Sequence, residues 1–590
     1  MAGRTPPAEA PVLHRVFEPA ASSAVVLGLV VLLALLANGR PIESGDTRAL
    51  ARTAGSLVQE LDFDLDEYPD VLFPFARAVD AGKYSIYPAL PAVMAAPAFL
   101  LARLAFELDE EGTAFAGKLA SSLFSASAVA VFFLAVGRRH PVTDARWAGL
   151  VLALGTSLWS TSQALWQHPA AVLWLCVSLL FITRAEEDDA WAGRAGLPLS
   201  LMVAARHADV ALCAVLALGI LMRWPRRIAA FVAWSAPVLA LLALYQWQVF
   251  GAPWRHGFSG SLGRFSEPWG VGQLGLLLSP GKGLFVFTPV ALVGLVGLAL
   301  SWRRERWLAA TLGAAFLAHV AFTGRWREWH GGECFGPRLM TDAVPLLLFF
   351  APEGLARLQA LGALLAAVSI GVQTLGAFAY DGRWERLFQR EAVAREAEGV
   401  EAHPELWDLA RSPVAFHAAR RVVLPSLPMI REGRLAIRQH PLVLFGPTGS
   451  RFTCGGGLDD VVVQGADATA GDLHLQRGAF CEEKRLRLRG RWDGLFLRVR
   501  PVARLRRLEL RLFGHGKGTL YVGERSLWSA SPRFKEYPVS GPFRIRHPYL
   551  YADSAGADLL VTTGRGGAVV SLDSVALVAP GDPDAPLQLP

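Results

Sequence analysis

The chain has 590 residues, with 58 Lys and Arg against 51 Asp and Glu, and a net charge of +7 at pH 7. Charged residues make up 18% and the apolar set 53%, where soluble domains carry about 25% charged residues and reach about 45–50% apolar only with Gly counted. With a mean hydropathy of +0.33, this excludes a disordered chain and an ordinary cytosolic enzyme, and makes the bilayer the solvent for most of the chain. The pI near 9.3 is no sign of nucleic acid, because the basic residues fall in short clusters between apolar runs, as the positive-inside rule requires.

Apolar runs predict membrane spans near residues 24–37, 117–136, 147–163, 169–183, 208–222, 228–249, 284–301, 307–323, 338–352 and 357–379, with a shorter one at 196–205. That is about eleven crossings, each needing about 20 residues when complete. Residues 1–22 precede them as a cytoplasmic N-terminus. The segments 137–146 (GRRHPVTDAR), 223–227 (RWPRR) and 303–306 (RRER) each hold three Arg. Placing all three in the cytoplasm gives a consistent alternation and sends the first span outward. Residues 88–105 are apolar enough to cross, but a crossing there would invert every later loop. They are read as a juxtamembrane or re-entrant helix on the outer side, where Pro88, Pro91 and Pro97 suit an irregular start.

The outer side then receives the loops that carry chemistry. Just beyond the first span, IESGDTRAL presents Glu43 and Asp46. Asp46 suits the N-cap of a helix over 47–59, or a general base fixed at the membrane surface. The acidic run DFDLDEYPD at 62–70 reads as a solvated loop. Lys83, Tyr84 and Tyr87 precede the re-entrant helix, and Trp166, Gln167 and His168 end the third span. Arg206, His207 and Asp209 interrupt apolar sequence, Lys282 sits in SPGKGLF and Arg338 in GGECFGPRL. One such cation alone is a snorkelling anchor. Arg206, His207, Lys282 and Arg338, converging from separate loops, suggest a phosphate instead, whose oxygens match the arginine fork. Gly281, Gly283 and Gly336 would let backbone approach such a ligand.

Residues 381–420, with WERL, PELW and SPVAFH, read as a helical connector. From about 421 to 590 the period changes to two: RLRLR at 485–489, LFLRVR at 495–500 and LELRLF at 508–513 alternate apolar with basic, followed by a turn signal, GHGKG, at 514–518. Further strands are expected at 519–522, 543–546, 558–562 and 568–578. Many short strands with turn signals predict a β-sandwich, and AVVSLDSVALV at 568–578 resembles the final strand of carbohydrate-binding, jelly-roll-like sandwiches. The five Cys show no metal-site spacing. Cys454 and Cys481 fall in this region and could pair in an oxidising compartment.

The first span followed by ESGDT, then YSIYPALPAVMAAP, SPGKGLFVFTP and WHGGECFGPRLMTDAVP, resembles the GT-C membrane glycosyltransferases, including the protein-O-mannosyltransferase and aminoarabinose-transferase branches. The resemblance covers about residues 20–380. It implies a polytopic helical membrane domain over 23–380 with a large first periplasmic loop, 38–116, and a periplasmic β-domain over 421–590, in the bacterial inner membrane. It implies a transferase taking sugar from a polyprenyl-phosphate donor to a glycan, lipid or protein acceptor, with Asp46 activating the acceptor and basic residues holding the donor phosphate. Glu43, Lys83, Tyr84, Tyr87, Trp166, Gln167 and His168 would line the cleft. In that family the loop after the third span often carries an acidic metal-binding or catalytic residue. Here that loop reads QALWQHP, with no carboxylate, so no metal and no other cofactor is expected. Two alternatives stand beside the transferase: a flippase for a lipid-linked saccharide, although no repeat relates the two halves, and a non-catalytic scaffold whose β-domain binds glycans.

Overall fold

The structure is a computed structural model and describes residues 13–68, 75–79, 82–259, 264–380, 382, 384–385, 404–410, 412–418, 427–431, 433–438, 463–464, 470–476, 480–482, 485–490, 494–499, 506–525, 533–552, 557–562 and 568–578. The chain forms two compact units, Met1–Ile437 and Arg438–Pro590.

The first unit is helical. Helix α1 (Leu13–Leu36) is followed by a turn at Asn38, whose Nδ2 donates to the Ala377 carbonyl at 2.8 Å. Helix α2 (Gly45–Gln59) starts from Ser44, whose N–H donates to the Thr47 hydroxyl at 2.9 Å. Ser44 is therefore the capping position, and Asp46 lies one residue inside the first turn with its carboxylate available for other partners. The hairpin β1 (Ala76–Val79) and β2 (Gly82–Ser85) leads into α3 (Leu90–Ala105). The predicted re-entrant segment is thus a helix of 16 residues. Ala92, Ala95, Ala98, Phe99 and Ala102 are buried on one face, while Leu101 and Leu104 are 65% and 85% exposed on the other. A helix apolar on both its buried and its exposed faces is one that lies against lipid.

Helix α4 (Glu110–Gly137) is capped by Asp109, whose side chain accepts from the Gly112 N–H at 2.9 Å. Then follow α5 (Val142–Leu154), α6 (Leu158–Thr161), α7 (Gln167–Ala185), α8 (Ala190–Arg194), α9 (Gly196–Ala205), α10 (Val210–Arg223) and α11 (Ile228–Phe250). The series closes with α12 (Val271–Leu278), α13 (Leu284–Phe287), α14 (Ala291–Ser301), α15 (Arg306–Thr323), α16 (Val344–Leu348), α17 (Ala351–Leu358) and α18 (Ala360–Phe378). Among the described residues, five helices are long and apolar enough to cross a membrane: Glu110–Gly137, Gln167–Ala185, Pro225–Phe250, Arg306–Thr323 and Ala360–Phe378. Shorter apolar helices run over Ala20–Leu36, Leu90–Ala105 and Ala291–Ser301. The helical unit is that of a membrane protein: α11 leaves Val232, Leu241 and Trp247 more than half exposed, as a lipid-facing helix does.

Several predicted spans are broken. Residues 147–163 divide between α5 and α6 at Gly155–Ser157. Residues 284–301 divide at Thr288–Val290; Pro289 has no N–H to continue the helix, and the Val290 N–H donates to the Ser369 hydroxyl at 2.9 Å instead. Residues 338–352 form a 3-10 turn, Arg338–Met340, followed by α16 and the start of α17, with Leu346 to Ala351 at most 1% exposed. Gln359, at φ +48°, separates α17 from α18. A run can be apolar because it faces lipid or because it is buried in protein, and hydropathy does not separate the two.

The predicted Arg clusters share one end of this unit. Arg138 pairs with Glu187, Arg139 with Glu305, and His140 with Glu353 at 3.1 Å; Arg223 pairs with Glu186 at 3.5 Å, and Arg227 with Asp189.

Of the connector, the 3-10 turn Pro404–Trp407 and the short helix Pro413–Ala418 are described. The hairpin β3 (Leu427–Arg431) and β4 (Arg434–Arg438) begins the strands, and the Gly433 carbonyl accepts from the Glu107 N–H at 2.7 Å.

The second unit is β. Its strands are β5 (Val463–Gln464), β6 (Ala470–Gln476), β7 (Phe480–Glu482), β8 (Arg485–Gly490), β9 (Gly494–Val499), β10 (Arg506–Arg525), β11 (Arg533–Ala552), β12 (Ala557–Thr562) and β13 (Ala568–Val578). The path runs β6-β9-β12-β10-β13-β8-β7, with β11 on β10 and β5 on β13. β10 pairs with β11 along its whole length, while β13 holds Glu509–Gly518 and β12 holds Tyr521–Arg525 of the same strand. Leu510, Leu512, Leu520 and Val522 are buried, the alternation expected of a half-buried strand. GHGKG is not the predicted turn but the middle of β10. A Cβ on Gly516 would come within 2.4 Å of the Val569 carbonyl oxygen, so glycine there permits close strand approach. Cys454 and the side chain of Cys481 lie outside the described residues, and with them the disulfide.

Candidate functional site

At the end of the helical unit opposite the Arg clusters, three groups of polar side chains adjoin one another. The first joins Asp46, in the first turn of α2, to Arg338, 292 residues later, through a direct ion pair from Nη1 to Oδ2. The guanidinium carbon lies 4.4 Å from the centre of the Trp166 ring, a cation–π arrangement. Tyr87 donates its hydroxyl to Asp46, and burial, then the Asp46 charge, hold its pKa well above the ordinary value, so it stays a donor. Arg338 Nε is buried without a partner. Gly331, at φ +77°, lies against this side chain, and a Cβ there would come 3.1 Å from Arg338 Cγ. Asp46 and Arg338 are 17% and 14% exposed in their side chains, so the pair is reachable from outside.

The second group is fully internal. His168 Nδ1 lies 2.7 Å from Asp342 Oδ2. Arg206 Nη1 reaches Asp209 Oδ1 at 2.5 Å and Asp342 Oδ2 at 3.1 Å. His319, on α15, presents Nδ1 at 3.6 Å from Asp209 Oδ1. Ligand atoms of Asp209, His319 and Asp342 lie within 4.8 Å of one another, a spacing suited to a metal ion.

The third group pins a loop. Lys282 Nζ donates to Glu385 Oε1 at 3.0 Å and to the carbonyls of Gly332, at 3.2 Å, and Cys334. Both members of the ion pair are 1% exposed. Burial raises the Glu385 carboxyl, against the opposing Lys282 charge. The loop so held, Gly332–Cys334, leads directly into Arg338. Gly281 and Gly283 approach protein here: a Cβ on Gly281 would meet Leu406 at 2.8 Å, and one on Gly283 the Ser279 N at 2.5 Å.

Of the predicted residues, Asp46, Tyr87, Trp166 and Arg338 come together. His168 and Arg206 meet in the second group, Gln167 begins α7 between Trp166 and His168, and Lys282 forms the third. His207 stands apart, 3.3 Å from Gln246 Nε2 and with its ring 5.1 Å from His256. Burial, then the neighbouring His256, lowers its pKa to about 4. Glu43 lies 3.8 Å from Arg48. Lys83 Nζ donates to the Tyr68 carbonyl at 2.5 Å and Tyr84 bridges to Asp64, so both belong to the hairpin and the acidic run. Asp342, His319 and Glu385 were not singled out from sequence. A lone carboxylate in LMTDAVP and a lone His in an apolar helix were the signals available.

No protein-family model and no curated protein matches the sequence. Among solved structures, the chain is similar to "ArnT from Cupriavidus metallidurans bound to Undecaprenyl phosphate", at 15% identity and TM-score 0.40 over 68% of this chain and 75% of that one. It is similar to the Archaeoglobus fulgidus oligosaccharyltransferase in its apo form, at 12% identity and TM-score 0.38 over 63% and 56% of the two chains. A third similarity is to the arabinofuranosyltransferase AftD from Mycobacteria, at 12% identity and TM-score 0.33, covering 94% of this chain and 61% of that one.

Proposed function

We propose that the chain is a membrane glycosyltransferase that moves a sugar from a polyprenyl-phosphate donor to a glycan, lipid or protein acceptor of the cell envelope. The observation that carries this reading is the Asp46–Arg338 pair, set between Tyr87 and Trp166 at the ends of membrane helices, with Arg338 Nε buried and unpartnered. In the proposed reaction the acceptor hydroxyl oxygen attacks the anomeric carbon, its proton passes to Asp46, and the bond from that carbon to the phosphate oxygen breaks as the lipid phosphate leaves. Arg338 takes a phosphate oxygen with the fork edge that Asp46 does not use and stabilises the charge developing there. Arg206 and Lys282, each already bonded to a buried carboxylate, hold the surrounding loops in this reading, and the uncharged His207 lies at its margin. The site faces the periplasm of a bacterial inner-membrane protein with about eleven crossings, counting broken helices as spans. In this reading the β unit is a jelly-roll-like sandwich that binds the acceptor.

The test is incubation of the purified full-length protein in detergent with radiolabelled polyprenyl-phosphate sugars. Label should move to an envelope acceptor with the wild-type chain. Label that binds but never transfers, equally in wild type and Asp46→Asn, would favour the flippase or scaffold instead.

A further inference from the structure

Two carboxylates and an imidazole are buried together beside the proposed catalytic pair. Asp209 gives Oδ1 to Arg206 at 2.5 Å. Asp342 gives Oδ2 to His168 at 2.7 Å and to Arg206 at 3.1 Å. The opposite oxygens, Asp209 Oδ2 and Asp342 Oδ1, are buried without any hydrogen-bond partner, as is His319 Nδ1. His319 Nε2 lies 2.7 Å from the Leu339 carbonyl. A carbonyl only accepts, so Nε2 carries the proton and the Nδ1 lone pair is left 3.6 Å from Asp209 Oδ1, the oxygen that Arg206 also holds. Arg206 cancels one of the two negative charges. One negative charge and three unshared acceptor atoms remain in a place with no exposure for Asp209, His319 or Asp342, an arrangement that is costly in the absence of a cation.

We infer that Asp209, Asp342 and His319 form a binding site for a divalent transition-metal ion, with Arg206 and His168 orienting the carboxylates from behind. One imidazole nitrogen with two carboxylate oxygens suits zinc or manganese better than calcium or magnesium. Ligand atoms bound to one ion at about 2.1 Å lie at most about 4.2 Å apart, so small side-chain rotations from the present 4.8 Å limit close the shell. The outer partners fit the role: ligating carboxylates are held by hydrogen bonds from groups that do not touch the metal. The ion ties the turn before α10 and helix α15 to the segment four residues beyond Arg338, and so fixes the base of the loop carrying that arginine. The site does not depend on the glycosyl-transfer reading.

The test uses full-length protein in detergent, stripped with chelator and titrated with Zn2+ or Mn2+ alone. Metal content is read by mass spectrometry and stability by thermal melting. Wild type should retain about one ion per chain after desalting and melt higher with the ion, as expected when metal binds only the folded state. His319→Gln and Asp342→Asn should each lower retention at least about tenfold and abolish the stabilisation. Should the variants fail to fold, Co2+ loading of the stripped wild type decides, through a visible absorption band at one equivalent. Retention below about a tenth of an ion per chain, with no Co2+ band and no shift in melting, would overturn the site.

Discussion

Helices α7, α10 and α15 each have polar or charged side chains towards both ends, and the two ends treat them differently. At the end holding Arg138, Arg139, Arg223 and Arg227, the partners stand partly in solvent: Glu187 is 68% exposed and Arg223 51%. Such pairs are worth about 0–1 kcal/mol. At the opposite end, Arg206, Asp209, Asp342, Lys282 and Glu385 are 7% exposed or less in their side chains. Removing such groups from water costs several kcal/mol per ion, which close geometry and further hydrogen bonds must offset. Buried ion pairs are weak evidence for stability, but they specify where loops sit. Here the loops so specified are those that bring Arg338 to Asp46.

The contrast predicts very unequal responses to losing one charge. Lys282→Ala strands Glu385 in a dry site and should destabilise the helical unit by about 3–5 kcal/mol, seen as a large drop in melting temperature. Replacing both partners, Lys282→Met with Glu385→Leu, should recover most of that loss, and a double variant as unstable as the single one would contradict the buried-pair account. Arg338→Ala falls between the extremes, because Asp46 is partly solvated. It should leave the fold intact and weaken donor binding about ten- to a hundredfold, the loss of one charge-assisted contact of about 1.5–3 kcal/mol; unchanged donor affinity would remove Arg338 from the phosphate.

A smaller effect belongs to His256, whose pKa is lowered by burial and by Arg77. Its folded value lies below the ordinary one, so its contribution to stability is present above about pH 6.5 and is lost as pH falls through the folded value. Melting temperature should decline on acidification from pH 7 to 5, and less so in His256→Gln; identical profiles would exclude this residue. The smallest change is expected at the exposed end, where Arg223→Ala should alter stability by less than about 1 kcal/mol. A loss as large as that of Lys282→Ala would erase the distinction between the two ends.

Sequence made the exposed end easy to read. Charge clusters between apolar runs follow from solvation, and solvation is local. Asp46, Trp166 and Arg338 were legible because polar residues at the edges of apolar segments need a reason to be there. Their pairing was not, because Asp46 and Arg338 are 292 positions apart and no local pattern encodes that closure. His319 and Asp342 were missed because each is a single polar residue among many apolar ones, and only the fold places them around one point. The broken helices escaped for a related reason: Pro289 and Gln359 sit inside runs whose hydropathy is continuous. The glycines of β10 were read as a turn because glycine marks both turns and close strand approach.

Asp46 is the proposed base, and Arg338, bonded to it directly, is the proposed contact to the donor phosphate. The most direct measurement is single-turnover transfer with a labelled polyprenyl-phosphate sugar, comparing wild type with Asp46→Asn at equal donor occupancy. The account predicts that Asp46→Asn binds the donor with nearly unchanged affinity while transfer falls by about a hundredfold or more, as for loss of a general base. Wild-type transfer rates in Asp46→Asn would contradict it.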